Sequence, residues 1–63
     1  MTNFDIALKK LNNMLILFED EDYSFFQAYI FGLCDAFGFS YDSREYETLS
    51  LNAFDYLHTV FGK

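Results

Sequence analysis

Four acidic side chains follow one another in the stretch LFEDEDYSFF, between two blocks of bulky apolar residues. Carboxylates in a loop bind calcium, and Asp20, Asp22 and Ser24 match the first three ligand positions of an EF-hand loop. The sixth position of that loop needs glycine for a sharp turn and is Phe25 here. The twelfth position needs a bidentate glutamate and is Phe31. We therefore expect no calcium site, and the sequence contains no other pattern typical of a metal or cofactor site.

Cys34 and His58 are the only thiol and the only imidazole, and a Cys–His pair can act as a nucleophile with its base. Cys34 falls in an apolar segment, where a lone cysteine is usually a small buried hydrophobe. His58 follows Asp55 by three residues near the end of a predicted helix, where a surface cation is favourable. The chain has no glycine-rich phosphate loop, no zinc spacing and no serine elbow. We expect that it is not an enzyme.

The acidic run supports two interpretations. As a solvated connection, it places negative charge before the next helix and keeps an apolar chain in solution. As a binding surface in extended conformation, alternate carboxylates on one side would lie about 6.6 Å apart and imitate part of a phosphate backbone. Nearby tyrosines would anchor such a complex, because tyrosine offers contact area and a hydroxyl at low entropy cost. With a second acidic group in the next connection, the predicted partner-binding residues are Glu19, Asp20, Glu21, Asp22, Tyr23, Tyr41, Asp42, Glu45, Tyr46 and Glu47.

Charge restricts the class of partner. Ten Asp and Glu against four Lys and Arg give a net charge of −6. Nucleic-acid phosphates and anionic membrane surfaces repel such a chain, so we expect neither direct nucleic-acid binding nor membrane binding. The electrostatic complement is the basic surface of another protein, and a nucleic-acid-binding protein is the natural candidate.

Size and composition predict a second kind of contact. A chain of 63 residues forms one domain (1–63), and a domain of this size buries only about 60% of the surface that its unfolded chain exposes. A single cysteine excludes an internal disulfide. Apolar residues make up 52% of the chain, which is more than the interior of so small a domain can hold. We therefore expect a partner chain to supply the missing stability. Ala28, Gly32 and Ala36, spaced by four, are the predicted contact of a homo-oligomer; plain core packing within one chain is the alternative.

In size, charge and aromatic content, the whole chain resembles proteins that phages and other mobile elements carry against host defences, such as anti-restriction and anti-CRISPR proteins and inhibitors of DNA-repair enzymes. That resemblance implies a protein that binds and inhibits or regulates another protein. The lone cysteine and the lack of a visible targeting pattern predict the cytoplasm, and the host cytoplasm if a phage encodes the chain. The alternative is a small structural or assembly homo-oligomer in which the acids only keep the chain in solution.

Helices must position these residues. Thr2 and Asp5 form a capping-box pattern, and an apolar stripe at helical spacing follows. Where Ile16 and Leu17 widen the stripe, we expect the helix end to be covered on more than one side. The stripe residues are Phe4, Leu8, Leu11, Leu15 and Phe18.

A second helix follows from similar signals. Ser24 and Gln27 predict its start, Gly38 predicts its end, and Phe39 is placed to fold back on its last turn. The predicted apolar face carries Phe26, Tyr29, Ile30, Leu33 and Phe37.

The segment 39–50 is ambiguous. Asp42 and Glu45 predict a short fourth helical turn at 42–48, whereas alternating apolar residues allow a small hairpin at 38–51, which would make the fold α+β. Ser50 predicts the start of the last helix and Gly62 its end. Its predicted staple is Leu49 with Phe54, and its stripe is Phe54, Leu57 and Phe61, with Ala53 and Val60 alongside. The favoured prediction is an all-α, compact three-helix domain.

Overall fold

The computed structural model describes residues 1–62, except for the side chain of Phe61. Its three helices are α1 (Asn3–Leu17), α2 (Tyr23–Phe37) and α3 (Arg44–Phe61). The predicted all-α, three-helix fold is confirmed. The alternative hairpin at 38–51 is wrong, because the described residues form no strand and most of that segment is helical.

The helices alternate in direction. Phe4 near the start of α1 lies against Phe39, just beyond the end of α2, with ring centroids 6.5 Å apart. α1 and α2 are therefore antiparallel. Asn52 Nδ2 donates a 2.7 Å hydrogen bond to Asn12 Oδ1, which joins the middle of α3 to the later half of α1. Each connection consequently lies at one end of a bundle that measures 30 × 22 × 16 Å.

All three helices contribute to one apolar core. A fully buried large apolar side chain contributes about 1.5–3 kcal/mol relative to an exposed one, so this core supplies most of the stability. The buried set includes Cys34, which packs as a small hydrophobe, as predicted. Its members are Ala7, Leu11, Leu15, Phe26, Ile30, Leu33, Cys34, Leu49, Ala53 and Leu57.

The start of α1 follows the prediction and its end does not. Thr2 and Asp5 form a reciprocal capping box, each side-chain oxygen accepting the other residue's backbone N–H at 3.1 Å. Ile16 and Leu17, expected to be covered, are 60% and 72% exposed. The two neighbouring helices pack against only one side of α1, so apolar residues that turn away from that side meet solvent.

α2 begins two residues earlier than the predicted start. Asp22, not Ser24, is the N-cap, and its Oδ1 accepts a 3.2 Å hydrogen bond from the N–H of Phe25. The end is confirmed: Gly38 has φ 77°, a left-handed value that glycine adopts without strain. Phe39 folds back as predicted, since its N–H reaches the carbonyl of Cys34 at 2.8 Å.

α3 begins seven residues before the predicted start. Ser43 is the N-cap, and its Oγ accepts a 3.2 Å hydrogen bond from the N–H of Tyr46. Ser50 lies within the helix, so the predicted cap at Ser50 and the cap pattern at Asp42 are wrong. Both serines suit a cap chemically; the earlier start is selected because it places Leu49 in the core with the other buried residues of α3.

Of the other predictions for α3, some are confirmed and others are wrong. The turn at 42–48 is not a separate fourth element, because α3 includes it from Arg44 onward. The staple is wrong, since Leu49 is buried whereas Phe54 is 53% exposed. The predicted places of Phe54 and Val60 on the buried side are wrong as well, because both are exposed, whereas Ala53 and Leu57 are buried. Gly62 ends the helix with φ 66°, as predicted. The predicted place of Phe61 in the stripe lies outside the described side chains.

Candidate functional site

A groove of about 380 Å³ lies between the start of α2 and the first turns of α3. The two helices are antiparallel here: the ring of Tyr23 meets Phe54, and the ring of Phe31 meets Tyr46. The groove therefore extends along one side of the bundle toward the α2–α3 connection. Its lining residues are Tyr23, Tyr41, Asp42, Ser43, Tyr46, Glu47, Ser50 and Leu51.

One face of α3 forms most of the groove. Counted from the N-cap Ser43, the lining residues Tyr46, Glu47, Ser50 and Leu51 follow at positions three, four, seven and eight. That spacing places them on a single helical face. The start of α3 at Arg44 thus brings these side chains together, whereas a start after Ser50 would have left them on separate elements.

Two tyrosine rings of the groove are held by Phe31 of α2. The Phe31 ring centroid lies 4.9 Å from that of Tyr41, at an interplanar angle of 70°, and 5.5 Å from that of Tyr46, at 19°. The Tyr41 hydroxyl also donates a 2.6 Å hydrogen bond to Asp35 Oδ1. This hydrogen bond is the main reason that the pKa of Tyr41 is raised above its ordinary value. Tyr41 is therefore oriented even though its side chain is exposed.

The third ring, Tyr23, has a separate support. Its centroid lies 6.0 Å from that of Phe54 at an angle of 78°, an edge-to-face contact. Phe54 in turn stacks on His58, with centroids 6.2 Å apart and planes 5° apart. Aromatic pairs in such geometries contribute about 0.5–1.5 kcal/mol beyond their area burial. Tyr23 is thus held by α3, although it belongs to α2.

The connection between α2 and α3 is folded onto itself beside the groove. Ser43 Oγ donates a 2.6 Å hydrogen bond to the carbonyl of Ser40, and Ser40 Oγ donates to the carboxylate of Asp42. These contacts fix the position of Asp42 at the groove. Ser43 has two roles there, since it also caps α3.

Ser50 is half-buried, and its hydroxyl is the one buried side-chain oxygen or nitrogen without a hydrogen bond in the described part of the chain. Its Oγ is inaccessible to solvent and has no hydrogen-bond partner among the described groups. A buried hydroxyl without a partner costs about 1–3 kcal/mol. The wall of the groove therefore contains a local energetic defect.

The groove is acidic. Asp42 and Glu47 line it, and no lysine, arginine or histidine does. Arg44 follows Ser43 directly but lines a separate cavity of about 320 Å³ with Phe4, Glu45 and Thr48. The groove thus combines aromatic rings with uncompensated negative charge.

The acidic run is not an extended strand. Residues 18–20 form a turn, which the hydrogen bond from the N–H of Glu21 to the carbonyl of Phe18 closes at 3.0 Å. Asp22 caps α2, while Glu19 and Asp20 are exposed. The expected row of carboxylates about 6.6 Å apart is therefore wrong, because that spacing requires extended backbone.

The two acidic groups also lie apart. The run Glu19–Asp22 precedes α2, and Asp42 follows it, so the helix separates them. Fifteen residues at about 1.5 Å per residue make α2 about 22 Å long. The length of α2 therefore separates the acidic run from Asp42, although Tyr23, next to the run, and Glu47, of the second group, line the same groove.

Only some of the predicted partner-binding residues consequently share one surface. The groove brings together Tyr23, Tyr41, Asp42, Tyr46 and Glu47. The run Glu19–Asp22 is not among its lining residues, and Glu45 lines the second cavity instead.

Sequence reasoning missed further residues that line the groove or support its rings. Those on α3 could have been found from helical spacing once the start of α3 was placed correctly. The missed residues are Ser43, Ser50, Leu51, Phe31, Asp35 and Phe54.

The strip of small residues on α2 is at the surface. Ala28, Gly32 and Ala36 are all exposed, and a Cβ added at Gly32 would meet no atom within 4 Å. Core packing within one chain therefore does not explain these residues. Their predicted contact with a second copy stays a prediction.

Other chemistry is sparse in the described part of the chain. Cys34 is fully buried, and burial, followed by the negative charges of Asp35 and Glu45, raises the pKa of its thiol. His58 is exposed, which does not suit a nucleophile–base pair with a buried thiol. Residues 1–62 contain no group of three or more His, Cys, Asp or Glu placed to hold a metal ion.

No helix among these residues is long and apolar enough to cross a membrane. No protein-family model matches the chain, and no curated protein and no solved structure matches it.

Proposed function

We propose that this protein binds a basic surface of another protein, one that handles nucleic acid, and inhibits or regulates it without catalysing a reaction. The observation that carries the proposal is the groove between α2 and α3. Three tyrosines and two carboxylates line it, and no basic side chain does. Interfaces favour tyrosine as an anchor, and carboxylates complement a basic partner.

The overall charge supports a protein partner over nucleic acid. A net charge of −6 opposes binding to phosphates but favours approach to a surface rich in lysine and arginine. Such surfaces are where proteins hold nucleic acid, so this chain would compete with nucleic acid for its partner. The proposed site of action is the cytoplasm, or the host cytoplasm if a phage encodes the chain.

The acidic run has a different proposed role from the groove. Glu19 and Asp20 are exposed in a turn at the end of the bundle away from the α2–α3 connection. Charges placed at the periphery of a contact accelerate encounter more than they strengthen the final complex. We therefore assign steering to Glu19, Asp20, Glu21 and Asp22, and anchoring to the groove.

The experiment is affinity capture from a nuclease-treated lysate, followed by binding kinetics with the captured protein. Asp42→Asn with Glu47→Gln removes the two carboxylates of the groove, and Glu19→Gln with Asp20→Asn removes two from the acidic run. Asp55→Asn, at an exposed position of α3 outside the groove, is the control. The groove variant should increase the dissociation rate, whereas the run variant should mainly lower the association rate and its salt dependence.

The proposal also predicts competition. DNA or RNA should displace the wild-type chain from its partner, and Asp55→Asn should behave as the wild type. If no captured protein depends on the groove carboxylates, or if nucleic acid never competes, the proposal is refuted.

A homo-oligomer is the second candidate function, favoured by the exposed strip Ala28, Gly32 and Ala36. Close approach of a second helix needs small residues, and the space above Gly32 is open. Like charges on two copies oppose this association, which makes it the weaker candidate. Sedimentation across a dilution series tests it: Gly32→Leu should dissociate an oligomer by overfilling the contact, and a wild-type monomer at all concentrations would exclude one.

A further inference from the structure

The groove has the chemistry of a receptor for one particular side chain, and this inference rests on the proposed function. We propose that the groove takes a single arginine side chain of the basic partner, with the guanidinium against a tyrosine ring and hydrogen-bonded to the groove carboxylates. Arginine would then be the anchor of the complex, and the surrounding charges would only orient it.

The aromatic walls are the first argument. A cation within about 6 Å of a ring centroid is attracted to the face of that ring. The centroids of Tyr41 and Tyr46 lie 6.0 Å apart, and their planes are inclined by 56°, so these two rings form a corner and not one flat surface. Phe31 contacts both rings, and Phe54 supports Tyr23. The walls are therefore organised before a ligand arrives, which lowers the entropy cost of binding.

The polar atoms of the groove are the second argument. Asp42 and Glu47 supply carboxylate oxygens, which only accept hydrogen bonds when ionised. The Tyr41 hydroxyl already donates to Asp35, so its proton is committed outside the groove. The charged atoms of the lining are thus all acceptors, and a cation with several N–H donors is their complement.

The combination favours guanidinium over other cations. Arginine is planar, stacks on aromatic rings, presents five donors and is more weakly hydrated than an ammonium group. Lysine carries a compact, strongly hydrated charge that gains less from a ring. A quaternary ammonium group would suit the rings but has no N–H for the carboxylates.

The dimensions fit one side chain. Small-molecule sites have volumes of about 300–1,000 Å³, and the groove, at about 380 Å³, is near the lower limit. Leu51 provides an apolar contact for a methylene stem, as arginine stems prefer. The groove is therefore too small for a folded element and large enough for a single long side chain.

Peptides of equal charge test the inference directly. Octamers of arginine, lysine and trimethyl-lysine are titrated by calorimetry into the wild type at physiological salt. The arginine peptide should bind about three- to fivefold more tightly than the lysine peptide, because guanidinium stacks on the rings and is more weakly hydrated than ammonium. Tyr46→Leu should abolish this preference and leave the lysine affinity within about twofold, whereas Tyr46→Phe should retain it because the ring face remains.

Two further variants keep the result interpretable. Tyr41→Leu changes a ring that is 49% exposed, so it should lower the arginine preference even if Tyr46→Leu fails to fold. Tyr29→Leu, which removes a tyrosine outside the groove, should leave the preference unchanged.

The outcomes separate this inference from the proposed function. Equal, salt-dependent binding of arginine and lysine peptides would overturn the arginine site and leave a basic partner in place. Tightest binding of trimethyl-lysine would also overturn it, in favour of an aromatic cage for quaternary ammonium. Absence of binding by every peptide would overturn it as well, and capture of a partner that nucleic acid displaces would then decide the proposed function separately.

Discussion

Replacement of Ser50 by alanine should stabilise this protein, although Ser50 has the sequence context of a helix cap. The Oγ of Ser50 is buried in the middle of α3 and has no hydrogen-bond partner among the described residues. Its removal relieves an unsatisfied polar group, worth about 1–3 kcal/mol, and adds the helix preference of alanine, worth a few tenths more. After a small loss of packing, we expect a gain of about 1–2 kcal/mol.

Ser43→Ala is the matched control and should act in the opposite direction. Ser43 Oγ accepts the N–H of Tyr46 at 3.2 Å and donates to the carbonyl of Ser40 at 2.6 Å. Loss of an N-cap serine costs about 0.5–2 kcal/mol. The two substitutions make the same chemical change seven residues apart, so a general effect of alanine cannot produce opposite signs.

Thermal and urea unfolding by circular dichroism measures both variants. In a domain of this size, 1 kcal/mol shifts Tm by about 4–8 °C, so the two variants should lie on opposite sides of the wild type. If Ser50→Ala is destabilised by about 1 kcal/mol while Ser43→Ala is neutral, then Ser50 is the cap and α3 begins near it. That result would refute the observed start of α3 and the groove with it.

Three further predictions concern single side chains. Gly32→Ala should stabilise the monomer by about 1 kcal/mol in urea unfolding, because the added Cβ meets no atom within 4 Å; a loss of stability would reveal a contact on this face. The phenol of Tyr41 should ionise above its ordinary pKa of 10.0 in an ultraviolet titration, and Asp35→Asn should return it toward that value. The hydrogen bond favours the neutral phenol, so its contribution to stability is fully present below pH 10 and is lost as pH rises through the higher folded-state pKa. Cys34 should react with a thiol reagent only as fast as the fold opens, since it is fully buried and its pKa is raised; reaction at the rate of a free thiol in the native state would contradict this.

The sequence predicted those features of the fold that local chemistry decides. Thr2 and Asp5 satisfy each other within one turn, and Gly38 and Gly62 adopt left-handed conformations that few other residues tolerate. These helix ends depend on residues within one turn, so tertiary contacts with other helices do not change them. Most of the core stripes of α1 and α2 was also predictable, because apolar spacing specifies the face that a helix buries. Phe18, predicted in the stripe of α1, is instead its C-cap and is 40% exposed.

The start of α3 was not predictable in the same way. Ser43 and Ser50 are equally good caps by type, and the choice between them depends on tertiary burial. With the earlier start, Leu49 packs in the core beside Ala53 and Leu57. Local preference could not supply this information, because Leu49 gains its partners from α1 and α2.

The same limitation applied to the candidate site. Each tyrosine of the groove was predicted separately as an interface residue, but their assembly depends on the register of α3. Asp42 and Glu47 were predicted as part of an acidic group with Glu45, although Glu45 lines a different cavity. Composition identifies residues suited to binding; helix register decides which of them share a surface.

The cap of α3 and the proposed binding site are therefore one structural unit. Ser43 fixes the first turn of α3 and also lines the groove, and Tyr46 and Glu47 belong to that same first turn. A helix end frays more readily than its middle, so the orientation of these two side chains depends on the cap. A ligand that binds only the ordered turn stabilises it by RT ln(1 + [L]/Kd), by thermodynamic linkage. Sequence changes that strengthen the cap should consequently strengthen binding without touching the ligand. By the same argument Asp22, which caps α2 next to Tyr23, has such a connection to the groove, whereas Glu19 and Asp20, which lie in the turn before the cap, do not.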